Sequence, residues 1–310
     1  MTKTLDFDVV IIGGGATGLS AALYASRAML KTAVVEKLAP GGQIMLTDII
    51  ENYPGFPDGI TGPELARLYE DQAVKYGAEI LYDTITSIDM NGSNKTVVGS
   101  DYEFNAKSVI IASGGDHNKL GVPGEDTFSG KGVSYCATCD GNFFKDVPVA
   151  VVGGGDSAMQ ESLYLTQMTK SVTIIHRRDK LRASRILQER ALNNPKIDFR
   201  WNSVVEKVHG NGQMEYLDLK NTQTGELSEL EIPGLFIFIG FHPNTEFISE
   251  SGIEFDGGGH IITNMAMETN IPGIFAGGDV RSNSDRQLGT AVGDGITAAL
   301  SAFHYIEDST

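Results

Sequence analysis

The sequence predicts an α/β fold made of two Rossmann-like dinucleotide-binding domains. Three observations carry that reading. Gly13-Gly14-Gly15-Ala16-Thr17-Gly18 follows a β-branched run. A second glycine loop, Gly153-Gly154-Gly155-Asp156-Ser157-Ala158, follows another such run. The chain's 2 cysteines, Cys136 and Cys139, enclose Ala137-Thr138 and precede Asp140, just ahead of the second loop.

Phe7 to Ile12 (FDVVII) is a β-branched run that ends at a glycine, the pattern of a strand buried on both faces. Leu19 to Met29 reads as a helix, and Thr32 to Val35 as a second strand that ends in Glu36. In such a βαβ unit Gly13 permits the tight turn and Gly15 lets the backbone approach a pyrophosphate. Gly18 allows the helix to pack against the strand, and the helix N-terminus faces the phosphates. Glu36 is placed to accept hydrogen bonds from ribose hydroxyls.

The pattern recurs at Val149 to Val152, with Ala158 in place of the third glycine. A helix is expected to about Met168, then a strand from Ser171 to Ile175. This strand runs not into an acid but into His176-Arg177-Arg178, with Arg182 beyond. Guanidinium groups grip a 2′-phosphate in bidentate fashion, whereas an acid would bind a free 2′-hydroxyl. The second site, Gly153, Gly155, Asp156, Ser157 and Ala158 with His176, Arg177, Arg178 and Arg182, is therefore read as one for NADPH in preference to NADH. Thr269 to Asp279 reads as a turn, a short buried strand and an acid, followed by a helix from about Gly289 to Phe303.

A chain of 310 residues suits two domains. Its hydrophobic share of 41% and charged share of 21% are those of a water-soluble globular protein. The net charge of −16 argues against nucleic acid or an anionic membrane as partner. No leader pattern precedes the first strand and no apolar run approaches the ~20 residues of a membrane span, so the cytoplasm is the expected location. In a reducing compartment a lone Cys-x-x-Cys is redox-active or metal-binding. Structural zinc needs four ligands; there is no second cysteine pair and none of the 6 histidines has a paired ligand spacing, so no metal is expected. Disulfide exchange needs a thiolate, a resolving thiol and a proton source. Cys136, Cys139 and Asp140 supply those types, although an Asp before Gly141 also suits a turn.

With these residues in view, the chain resembles the low-molecular-weight, bacterial-type thioredoxin reductases. The likeness runs nearly end to end, through Gly13 to Gly18, Gly41-Gly42-Gln43, Glu51 to Gly55, Cys136 to Asp140, Gly153 to Ala158, His176 to Arg178, Gly277-Gly278-Asp279 and Arg286-Gln287. It departs from the family's common pattern at Ser113 to Gly115, Asn118 and Gln160. The resemblance implies FAD in the outer segments, contacted by Glu36, Gly42, Gln43, Asn52, Asp279, Arg286 and Gln287, and NADPH in the middle one. It implies a discontinuous FAD domain, residues 1–116 and 246–310, with the NADPH domain, 117–245, inserted. It also implies that Cys139 lies nearer the flavin, that Cys136 attacks the disulfide of thioredoxin or a thioredoxin-like protein, and that the chain forms a homodimer. Dithiol and nicotinamide site share one segment yet must reach one flavin; the family meets this by rotating the inserted domain. The glycine-rich segments Gly114 to Asn118 and Gly240 to Thr245 are the expected hinges. Three other readings use parts of the same set: a flavin-dependent dithiol oxidase, a ferredoxin–NADP⁺ reductase, and a non-catalytic redox sensor.

Overall fold

The fold is taken from a computed structural model that describes residues 3–309 apart from Asp48, Asn91 and Ser93. The chain divides into two compact units, one from residues up to Asp116 and from His242 onward, the other His117–Phe241. The return to the first unit thus comes slightly ahead of the 245/246 boundary expected from sequence.

In chain order the first unit opens with β1 (Lys3–Ile12), α1 (Ala16–Arg27), β2 (Thr32–Glu36), α2 (Gly62–Lys75), β3 (Glu79–Tyr82), β4 (Ile85–Asp89), β5 (Lys95–Gly99) and β6 (Tyr102–Ile111). β7 (Gly115–His117) crosses into the inserted part, which carries β8 (Val133–Ser134), α3 (Ala137–Asp140), β9 (Pro148–Gly153), α4 (Asp156–Leu165), β10 (Ser171–His176), α5 (Arg185–Leu192) and β11 (Ile197–Trp201). It continues with β12 (Ser203–Asn211), β13 (Gln213–Asn221), β14 (Leu227–Glu231), β15 (Leu235–Phe238) and β16 (Phe241–Pro243). The chain returns through β17 (Ile274–Ala276) and ends in α6 (Leu288–Asp308). β7 and β16, the two crossovers, pair with each other.

The first unit's sheet runs β3-β2-β1-β6, all parallel, and both remaining partners sit on the far edge of β6. The N-terminal half of β6 pairs antiparallel with β5, and its C-terminal half pairs parallel with β17. Removing the β4–β5 hairpin leaves the doubly wound order β3-β2-β1-β6-β17. Successive side chains of β1 alternate between faces. Val10 and Ile12 enter one core with Phe104 and Ile261, while Val9 and Ile11 enter the other with Ala21, Ala25, Ala298 and Ala302. The alanines let α1 and α6 approach closely; a Cβ on Gly295 would sit 2.2 Å from the Thr17 carbonyl oxygen.

The second unit repeats the plan with the parallel order β11-β10-β9-β15-β8. Val149 and Val151 pack under α4 and α5 with Met159 and Leu187. Ala150 and Val152 face the antiparallel sheet β12-β13-β14 through Val205, Val208, Leu217 and Leu219. Each fully buried valine or leucine here contributes roughly 1.5–3 kcal/mol relative to exposure.

Three helix ends differ from the sequence expectation. α1 stops at Arg27, because Met29 adopts φ 64° and turns the chain toward β2. α4 stops at Leu165; the Thr166 and Thr169 hydroxyls bond back to the Leu163 and Leu165 carbonyls, and the Lys196 ammonium takes the Thr166 and Thr169 carbonyls. α6 runs on to Asp308, past the expected end near Phe303. Among the described residues no helix is long and apolar enough to cross a membrane.

Candidate functional site

In the first unit the predicted residues lie at the carboxyl ends of the parallel strands. Gly13 follows β1 with φ 102°, and a Cβ there would meet the Ala112 carbonyl oxygen at 2.4 Å. Gly18 is as constrained, since its Cβ would fall 1.9 Å from the Gly13 oxygen. Gly15 is different. Its backbone (φ −74°, ψ −172°) suits any residue, and the nearest atom to an added Cβ is the Gly42 Cα at 4.0 Å. The protein's own packing therefore does not require glycine at 15, whereas a group laid against the loop would. Gly15 is also the N-cap of α1 and gives no side-chain capping bond. By contrast, the Thr61 hydroxyl caps α2 by accepting the Glu64 N–H at 3.3 Å. The first-turn donors of α1 thus stay available to phosphate.

Glu36, half-buried at the end of β2, accepts the Gly14 N–H at 2.6 Å and the Leu38 N–H at 3.0 Å. These bonds fix the carboxylate beside the glycine loop and leave lone pairs for hydroxyls. Gly41 N–H bonds to the Gly14 carbonyl, which brings Gly42 alongside Gly15. The Gln43 amide donates to the Gly115 carbonyl and to Asp116, both at 3.0 Å. Asn52 donates to the Gln287 side chain at 3.3 Å, joining residues 235 positions apart. Asp279 lies in a 3-10 turn, Gly278–Val280, just after β17. Burial pushes its carboxyl above the usual carboxylate range, while the Arg286 guanidinium and the Ser284 hydroxyl pull it down. Behind it, Asp294 accepts the Gly278 N–H at 2.9 Å and a bidentate pair from Arg281 at 2.6 and 3.0 Å. Gln287 is the N-cap of α6, again with no side-chain capping bond.

The second unit rebuilds the motif. A Cβ on Gly153 would collide with the Phe238 oxygen and Ala158 at 2.5 Å, and one on Gly154 with the His176 ring at 2.2 Å. Gly155 has nothing within 4 Å of an added Cβ and, like Gly15, is an uncapped N-cap, here of α4. The Gly154 carbonyl accepts the Arg182 and Ala183 N–H groups at 2.7 and 3.1 Å, and Asp156 accepts the Ser184 N–H at 2.6 Å. Asp156 thereby holds the basic loop against the start of α4, beside exposed Ser157 and buried Ala158. Arg177, Arg178 and Arg182 are exposed, and none is in an ion pair among the described residues. His176 is turned inward: it is 6% exposed and its Nε2 meets the Lys180 carbonyl at 2.9 Å. Burial lowers its pKa, with help from Arg177 and Arg178, against the raising effect of its backbone hydrogen bonds.

Cys136 and Cys139 form a disulfide with a Cα–Cα distance of 5.3 Å. Cys136 is the N-cap of the short helix α3; its Sγ accepts the Cys139 N–H at 3.2 Å and lies 3.4 Å from the Thr138 hydroxyl. Asp140 closes α3. Its Oδ2 accepts the Ser134 hydroxyl at 2.6 Å, and Ser134 Oγ in turn accepts the Cys136 N–H at 3.1 Å. Burial raises the Asp140 pKa and the Ser134 bond opposes this. Ser134 has no signal in the sequence; a serine two residues before a cysteine reads as any loop serine. Among the described residues no group of three or more His, Cys, Asp or Glu gathers as metal ligands.

The sequence profile of the family described as pyridine nucleotide-disulphide oxidoreductase matches residues 7–295. The thioredoxin reductase of Bacillus subtilis is 48% identical over 309 residues, covering 99% of this chain and 97% of that protein. That of Treponema pallidum is 48% identical over 302 residues, covering 97% of this chain and 98% of its own. The crystal structure of thioredoxin reductase from Streptococcus pyogenes superposes with a TM-score of 0.95 at 47% identity, over 98% of this chain and 99% of that one. Two glycine-led, uncapped helix starts, a Cys-x-x-Cys disulfide in the inserted unit and likeness over nearly the full length make the chain a pyridine nucleotide-disulphide oxidoreductase, and within that family one of the low-molecular-weight, bacterial-type thioredoxin reductases.

Proposed function

We propose that the chain moves electrons from NADPH through FAD and the Cys136–Cys139 disulfide to the disulfide of thioredoxin or a thioredoxin-like protein. The observation that carries this is the closed Cys136–Cys139 pair with a half-buried acid at its side. FAD would lie on Gly13, Gly15 and Gly18, with Glu36 on the ribose and Gly42, Gln43, Asn52, Asp279, Arg286 and Gln287 around the remainder; once bound it supplies two-electron transfer between nicotinamide and disulfide. NADPH would lie on Gly153, Gly155 and the start of α4. Arg177, Arg178 and Arg182 hold its 2′-phosphate, and His176 supports the loop from beneath.

The dithiol step follows from this chain's own atoms. Reduced Cys136 is stabilised as thiolate by the Cys139 N–H and the Thr138 hydroxyl. It attacks one sulfur of the partner's disulfide, and the other partner sulfur leaves and takes the Asp140 proton. Cys139 then gives its proton to the Asp140 carboxylate and attacks Cys136 Sγ, so the internal disulfide closes and the second partner sulfur departs and takes that proton. Two electrons pass from the dithiol to the partner, which ends as a dithiol. An NADPH oxidation assay with candidate thioredoxins tests the reading; oxidation that no thioredoxin accelerates would overturn it. Sedimentation of the holoprotein tests the homodimer.

Two variants probe the assigned roles. Arg177→Ala/Arg178→Ala removes charge-assisted bonds worth ~1.5–3 kcal/mol each. The KM for NADPH is expected to rise about tenfold or more with that for NADH unchanged; equal effects on both cofactors would remove the 2′-phosphate role. For Asp140, the acid form is the proton donor, so turnover falls as pH rises through its raised pKa. Its stability contribution has the same sign: present below the ordinary carboxylate pKa and lost as pH rises through the folded value. Asp140→Asn should therefore keep or raise the thermal midpoint at pH 7 while cutting turnover about 10²-fold. Calorimetry and steady-state rates on the same preparation check both halves.

A further inference from the structure

Cys136 is preceded by two hydroxyl side chains that bond to different carboxylates. Ser134 bonds to Asp140, in the machinery already described. Tyr135 donates its phenol to Glu125 at 2.7 Å. Glu125 is 2% exposed and is not a surface acid. Its carboxylate accepts the Leu120 N–H at 2.9 Å, the Gly121 N–H at 2.7 Å and the Val122 N–H at 3.4 Å. Three backbone donors thus hold the anion in place, so the phenol bonds to a fixed point. The Tyr135 ring is stacked on His117 with centroids 5.5 Å apart and planes 21° apart. Burial and the Glu125 bond keep the phenol protonated as a donor. Nothing in the exchange chemistry calls for this tyrosine, yet it is the residue adjoining the attacking cysteine.

We propose that Tyr135 is a positioning residue for the dithiol: its Glu125-anchored ring fixes the backbone leading into Cys136 and raises the effective concentration of the Cys136 sulfur against Cys139. Closing a disulfide from a dithiol costs the freedom of the two sulfur-bearing segments. An anchored Cys136 has already lost part of that freedom, so the internal disulfide forms more readily than between loosely held thiols. The inference rests on the proposed reading of Cys136 and Cys139 as a redox pair.

The test is the equilibrium of the flavin-loaded protein with glutathione buffers under anaerobic conditions, with thiols trapped by alkylation and the Cys136–Cys139 peptide quantified by mass spectrometry. Tyr135→Phe keeps the ring and removes only the hydroxyl. The equilibrium constant for disulfide formation is expected to fall about fivefold, the factor one net hydrogen bond is worth. Ile232→Val, which trims the core of the same unit, should lower the thermal midpoint without moving that constant. A change of less than twofold in Tyr135→Phe would overturn the proposal, as would an equal change in Ile232→Val, which would mean general loosening. The assay needs neither NADPH nor a partner protein. A disulfide that no thiol buffer opens would overturn the redox reading together with this one, whereas a disulfide that opens with an unchanged constant removes only the role of Tyr135.

Discussion

Cys139→Ser is expected to stop NADPH-dependent reduction of a protein disulfide, with a loss on the order of 10³-fold or more, while the protein stays folded and yellow. Groups that act as one unit lose nearly all their effect when one member goes, and a lone Cys136 can form a mixed disulfide but cannot resolve it. Cys139 is half-buried in a four-residue helix, and serine is close to isosteric with cysteine, so the fold should not register the change. Anaerobic titration with NADPH separates loss of the dithiol from loss of the flavin: the wild type should take up two electrons more per chain than the variant, because one disulfide stores two. Flavin bleaching should remain in both. Equal electron uptake would show that Cys136 and Cys139 do not exchange electrons with the flavin at all.

The second large effect separates two glycines of one motif. Gly18→Ala would place a Cβ 1.9 Å from the Gly13 oxygen, a clash with backbone that no rotamer change relieves. Overpacking of this kind costs roughly 1–3 kcal/mol, and contact with a rigid carbonyl belongs at the upper end. The expected result is a lowered thermal midpoint even for protein freed of flavin. Gly15→Ala should leave that midpoint unchanged, since nothing within 4 Å other than the Gly42 Cα meets the added carbon. Its flavin affinity should nevertheless fall about tenfold or more, as ~1.4 kcal/mol of crowding against a bound pyrophosphate would produce. Flavin release measured by fluorescence, paired with calorimetry of both forms, checks the contrast. A Gly15→Ala protein that keeps wild-type affinity would move the cofactor away from this loop.

Gly13 and Gly18 were legible in the sequence because backbone sterics leave no other residue in those places, and such constraints print directly into sequence. The helix ends were not legible, since α1 stops at Arg27 and the chain then turns at Met29 in a left-handed conformation that no glycine announces. The antiparallel sheet of β12 to β14 left little trace either. Its alternation is broken by register shifts between Val205 and Lys207 and between His209 and Gly210. Pairing of Asn52 with Gln287 spans 235 positions, and only a resemblance could bring both residues to attention. Nothing in the sequence sets Glu125 apart among 40 Asp and Glu residues. What marks it is burial and its bonds to Leu120, Gly121 and Tyr135, and those exist only after folding.

The split edge of β6 has a consequence for the order in which the protein matures. Half of that edge waits for β17, which emerges from the ribosome after the whole of the inserted unit. The nascent chain can therefore close the inserted sheet, and with it the cysteine segment, while the outer sheet is still open along the rim where Asp279 and α6 will stand. Emergence of β17 and α6 is then the event that completes the outer unit, and chains cut short before α6 are expected to emerge with one finished unit and one that degrades.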